Sequence, residues 1–193
     1  MCAIDVNRYS QFVDYGSGKG RALLVASDFP FEVIRGVEFS QDLHAIAQEN
    51  IHRYLNPKQV CRNIESVYGD AIEFAPAEIS TVHFFYSPFR QNVMQAVCKN
   101  IESSLSTRPR ESMIVFYGLH AETIAAIDAL GWHRYEIQVP RDFGASGKYK
   151  AIVYQHSPKT QPSMPIHRLL PGDFVRHKSA GQRKSQWLRF KSQ

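Results

Sequence analysis

The stretch of this chain best suited to holding a ligand is Phe12-Val13-Asp14-Tyr15-Gly16-Ser17-Gly18-Lys19-Gly20-Arg21. A short apolar run closes on a carboxylate, three glycines alternate, and a new apolar run follows, Ala22-Leu23-Leu24-Val25-Ala26. Glycines let the backbone turn tightly and let a ligand approach the main chain. The amides that open a helix then face that ligand. The spacing is GxGxG; a dinucleotide fingerprint would need glycine where Arg21 stands, and no Gly-Lys-Ser/Thr phosphate loop is present. Two acids follow. Glu38, in Gly36-Val37-Glu38-Phe39-Ser40, lies 20 residues beyond Gly18, where a carboxylate ending the second strand can accept both hydroxyls of a ribose. Asp70, in Tyr68-Gly69-Asp70-Ala71, would sit at the next loop along the same sheet edge, suited to an adenine amino group.

These residues need a sheet to hold them. Gln11 to Tyr15, Val33 to Glu38, Asn63 to Tyr68, Thr81 to Tyr86 and Ser112 to Tyr117 read as five strands. Helices are expected over Gly20 to Phe29, from a Ser40 cap to about Leu55, over Asn92 to Leu105 and over Glu122 to Leu130, the last closed by Gly131. Strands alternating with helices imply crossover units and a mostly parallel sheet. Trp132 to Val139 and Lys148 to His156 have no helical pattern between them, so they are expected to form an antiparallel hairpin at one edge.

Asp14 with the Gly16–Arg21 loop, then Glu38, then Gly69-Asp70 resembles the class I S-adenosylmethionine-dependent methyltransferases over about Gln11 to His156. The resemblance implies an α/β fold: a Rossmann-like, doubly wound, seven-stranded, mostly parallel sheet with an antiparallel last strand. It implies S-adenosylmethionine as cofactor and S-adenosylhomocysteine as product, held by Asp14, Gly16, Ser17, Gly18, Gly20, Glu38, Phe39, Asp70 and Ala71. The acceptor side, where a methyl group would be transferred to an unidentified acceptor, is expected at Tyr86, Ser87, Pro88 and Phe89. Amine-methylating relatives carry Asn or Asp where Ser87 stands, and serine offers no amide or carboxylate to accept a bond from an amine. That departure, with only ten residues ahead of the first strand, keeps a second reading open: a non-catalytic cofactor-binding module partnering another protein. A nicotinamide-dependent oxidoreductase is disfavoured by the GxGxG spacing and by Asp70.

The chain has 193 residues with a net charge of +5, and the charge is unevenly placed. From Ser157 to Gln193 eight Lys and Arg face one acid, Asp173, whereas residues 1 to 156 carry 15 basic and 17 acidic residues. The reading is a mildly acidic domain over 1–156 and a basic C-terminal tail over 157–193, broken by Pro158, Pro162, Pro165 and Pro171. Lys and Arg of such a tail, with Trp187 and Phe190 among them, suit a polyanion or nucleic acid. An acidic protein, a membrane surface or simple solubility fits the tail as well. Cys2, Cys61 and Cys98 have no CxxC spacing, which argues against disulfides and zinc, and no metal is expected. The apolar runs are too short to span a membrane, and the first residues lack the apolar centre of a signal peptide. A cytoplasmic location is the simplest expectation.

Overall fold

The computed structural model describes residues 5–86, 89–118, 121–138 and 150–158. Strands β1 (Gln11–Tyr15), β2 (Val33–Glu38), β3 (Ile64–Tyr68), β4 (Thr81–Phe85), β5 (Ser112–Tyr117), β6 (His133–Gln138) and β7 (Lys150–His156) form one sheet in the order β3-β2-β1-β4-β5-β7-β6. β1 to β5 are parallel, and β7 runs antiparallel to both β5 and β6. The expected hairpin is present, and β7, later in sequence, inserts between β5 and β6. Among the described residues no helix is long and apolar enough to cross a membrane.

Helices α1 (Arg21–Ala26) and α2 (Gln41–Arg53) pack on one face of the sheet, α3 (Gln91–Thr107) and α4 (Ala121–Asp128) on the other. Alternation along the strands separates two cores. Phe12, Ile34, Val82, Phe84, Met113 and Val153 join Leu23 and Ala26 of α1. Val13, Tyr15, Val37, Phe85, Ile114 and Phe116 join Met94, Val97 and Ile101 of α3 and Ile127 of α4. β1 and β4 are buried at every position, as central parallel strands covered on both faces must be. β3, at the edge, is only partly covered.

One element departs from the strict strand–helix alternation. Residues 69–80, which return the chain from β3 past β2 and β1 to β4, form turns and no helix. Two local features stop a helix there: Asp70 Oδ1 accepts the Ile72 N–H at 2.9 Å in a turn, and Pro76 removes an amide donor. Core packing holds the segment down. Phe74 meets Tyr15 edge-on at 6.0 Å, and the Asn100 amide of α3 donates to the Ile72 carbonyl. α1 is also shorter than the helix expected over Gly20 to Phe29, ending in turns after Ala26. Val139 and residues 148–149 of the expected hairpin, and the tail beyond Pro158, lie outside the described residues.

Candidate functional site

From the adjacent strands β1 and β4 the chain runs on in opposite directions across the sheet, to β2 and to β5, so a crevice opens at the carboxyl ends of β1 and β4. The glycine loop stands on one side of it. Asp14, Gly36 and Glu38 occupy alternate positions with Phe12 and Ile34 and therefore lie on the α1 face. Register pairs Asp14 with Gly36.

The loop has the tight geometry its glycines suggest. Gly16, Gly18 and Gly20 take φ of 76°, 55° and 78°, the left-handed region that disfavours a side chain. A Cβ on Gly18 would have nothing within 4 Å, so the space beside it is open. The loop amides do not present a row of free donors, as the expected helix-opening anion site would. Gly16 and Ser17 N–H both donate to the Val37 carbonyl, at 2.9 and 3.0 Å, and Gly20 N–H to the Ser17 carbonyl at 2.9 Å. Gly18 N–H donates to Glu38 Oε2 at 2.7 Å. The loop therefore contributes shape and open space, with the Gly16, Ser17 and Gly18 donors used to fasten it to β2.

Glu38 is the centre of this fastening. It is buried; Oε2 takes Gly18 and Oε1 takes the Ser40 N–H at 2.9 Å. Its backbone carbonyl accepts Gly69 N–H at 3.1 Å, tying the third loop to the second. Ser40 caps α2 as expected, and Asn50 of α2 holds the Lys19 carbonyl at 2.9 Å. Each carboxylate oxygen has a second lone pair for a ligand hydroxyl. Beside this anchor Asp14 is 3% exposed, and its Oδ1 has no hydrogen-bond partner among the described residues. Burial, and then the nearby Glu38 carboxylate, push its pKa up to about 7. Ser17 Oγ is also buried without a partner. Two unsatisfied buried oxygens beside an open space suit a ligand bearing polar donors.

The remaining expected residues divide. Asp70 is half-buried, and its Oδ1 is spent on the Ile72 N–H. Ala71 is buried in the core cluster with Tyr15 and Val37. Phe39 stands 74% exposed next to Glu38. Across the crevice, Phe89 is half-buried and meets Phe85 edge-on at 6.4 Å, while the Tyr86 ring stacks on Tyr117 at 5.0 Å. Ser87 and Pro88 lie outside the described residues.

Two features escaped the sequence reading. Gly36 looks like an ordinary strand residue, yet a Cβ there would lie 2.6 Å from Ser17 Oγ and 2.7 Å from Ser17 Cβ and Leu23 Cδ1. Gly36→Ala is therefore expected to cost about 1–3 kcal/mol through overpacking, read as a lower melting temperature; an unchanged melting temperature would show that the loop has room to yield. The second feature is a buried pair beneath the crevice. Tyr15 OH lies 3.0 Å from His83 Nδ1, and burial, with Arg110 adding to it, holds His83 neutral with its pKa lowered to about 3. The only signal was a histidine inside the otherwise uncharged run Thr81-Val82-His83-Phe84-Phe85. Among the described residues no group of His, Cys, Asp and Glu could hold a metal ion.

No protein-family model matches the sequence, and no curated protein is similar to it in sequence. Its backbone does have counterparts among solved structures. It is similar to an S-adenosylmethionine-dependent methyltransferase from Methanosarcina mazei, with 9% identity and a TM-score of 0.58, over 78% of this chain and 94% of that one. It is similar to the methyltransferase domain of bacterial CtHen1, with 16% identity and a TM-score of 0.53, over 77% and 91%. It is also similar to the S-adenosylmethionine-dependent methyltransferase SibL, with 8% identity and a TM-score of 0.61, over 80% of this chain and 52% of that one. The chain has the fold of the class I S-adenosylmethionine-dependent methyltransferases, with the Rossmann-like seven-stranded sheet and antiparallel β7 that the sequence led us to expect.

Proposed function

We propose that the chain binds S-adenosylmethionine along the carboxyl ends of β1, β2 and β3 and transfers its methyl group to an acceptor held beyond β4. The observation that carries this reading is the arrangement of Glu38, fastened to Gly18 and Ser40, beside the unpartnered Asp14 Oδ1 and the open space at Gly18. In it, Glu38 accepts the two ribose hydroxyls with its remaining lone pairs. Asp14 accepts from the ammonium of the amino-acid part, and Asp70 Oδ2 from the adenine amine. Phe39, exposed beside Glu38, covers bound ligand from solvent. When bound, S-adenosylmethionine supplies a methyl group activated by a positively charged sulfur, with a neutral thioether as leaving group. The protein's task is then chiefly alignment of donor and acceptor at near-attack distance.

Transfer of a labelled methyl group into fractionated cell extract tests this reading. Label in a defined acceptor fraction supports it. Tight cofactor binding with no label in any fraction would favour the binding-module reading instead.

The basic tail is proposed to hold a polyanion. Replacing Arg183, Lys184, Arg189 and Lys191 with glutamine should weaken binding to a single-stranded oligonucleotide. It should also flatten the salt dependence, by about 0.7 in log–log slope per lost phosphate contact. An unaltered slope would assign the tail to solubility.

A further inference from the structure

We infer that the acceptor presents a flat, uncharged aromatic ring, stacked on Tyr86; this rests on the methyl-transfer reading above. Register pairs Phe85 of β4 with Phe116 of β5, so Tyr86 and Tyr117 follow side by side at the ends of the two strands. Alternation along β5 puts Tyr117 on the same face as Met113 and Val115, which is the α1 face. The stack, 5.0 Å between centroids and 18° between planes, carries Tyr86 to that face too. Asp14, Gly36 and Glu38 lie on the same face, and β4 is the neighbour of β1. The tyrosine pair and the cofactor ledge therefore flank one crevice from adjacent strands.

The shape of the pair selects the guest. Tyr86 is 48% exposed, yet its ring is held flat by Tyr117 beneath it. A further ring would extend that stack and cover the exposed face. Near-parallel rings do not form the angled cage that surrounds an alkylammonium. The described charges nearest by chain position are Arg90, just ahead of α3, and Glu122, in the first turn of α4, both exposed and of opposite sign. Neither charge decides the selection. In the reaction, a lone pair on a ring-borne oxygen or ring nitrogen attacks the methyl carbon and forms the new C–O or C–N bond. The C–S bond breaks with its electron pair passing to sulfur, and the acceptor's O–H or N–H proton leaves to solvent.

The test uses the full chain saturated with S-adenosylhomocysteine, with the tyrosine ring protons followed by NMR. Catechol, adenosine, a short single-stranded oligonucleotide and N-acetyl-lysine amide are titrated separately. Upfield shifts of Tyr86 and Tyr117 with catechol or adenosine are expected, lost in Tyr86→Leu and kept in Tyr86→Phe through Tyr117. A response to catechol alone marks a small-molecule acceptor; a stronger response to the oligonucleotide than to adenosine marks a base within a strand. Shifts with N-acetyl-lysine amide only, or with none of the planar probes, would overturn the inference. Failure of S-adenosylhomocysteine to bind at the outset would instead overturn the methyl-transfer reading, and this inference with it.

Discussion

Asp14→Asn should raise the melting temperature at pH 8, raise it by clearly less at pH 5, and remove most of the affinity for S-adenosylhomocysteine. Asp14 is buried with an unpartnered Oδ1, and its pKa is raised to about 7, by burial first and then by Glu38. In the unfolded chain it titrates near the ordinary carboxylate value of 3.8. Between those values the folded state keeps a proton that the unfolded state has lost. Stability therefore falls as pH rises from 4 to 7 and levels off above it, at a cost on the order of 4 kcal/mol. Asparagine is neutral at every pH and removes that cost, less whatever its two amide donors require in a dry site. Wild type and variant share the neutral, buried His83, so their difference isolates Asp14. A bound ammonium favours the ionised carboxylate, so wild-type affinity should rise with pH toward 8 while that of the variant stays flat. Calorimetric melts at the two pH values decide the first half; an equal shift at both would mean that Asp14 is not the titrating group. Gain of stability with loss of binding is the trade expected where a site keeps a buried charge for its ligand.

The second large effect concerns Glu38. Glu38→Ala should weaken S-adenosylhomocysteine binding by about 1–3 kcal/mol, the scale for a lost charge-assisted hydrogen-bond pair. Two backbone amides, Gly18 and Ser40, lose their acceptor at the same time, so the loop itself loosens. Glu38→Gln is expected to weaken both as well: it keeps one acceptor oxygen, but its amide nitrogen then faces the N–H of Gly18 or Ser40. A titration of a folded Glu38→Ala variant that matched wild type would remove Glu38 from ribose recognition.

Much of this site is local in sequence. The glycine loop, Glu38, Asp70 and the Ser40 cap each follow a strand within a few residues, and strand ends were visible from apolar runs broken by glycine. The final hairpin was legible because no helical pattern separates its strands. What remained hidden depends on register between strands distant in sequence. Gly36 matters because Asp14 pairs with it and Ser17 folds over it. Tyr15 and His83 meet because β1 and β4, 68 residues apart along the chain, are neighbours in the sheet. The same holds for the Tyr86–Tyr117 stack. No helix was expected between the third and fourth strands, and residues 69–80 form turns.

The most direct measurement is calorimetric titration of the full chain with S-adenosylhomocysteine and, separately, with NAD. Both ligands carry an adenosine; the proposed reading assigns the GxGxG loop, Glu38 and Asp70 to the first. The account predicts saturable one-to-one binding of S-adenosylhomocysteine and no heat of binding with NAD; binding of NAD with none for S-adenosylhomocysteine would contradict it.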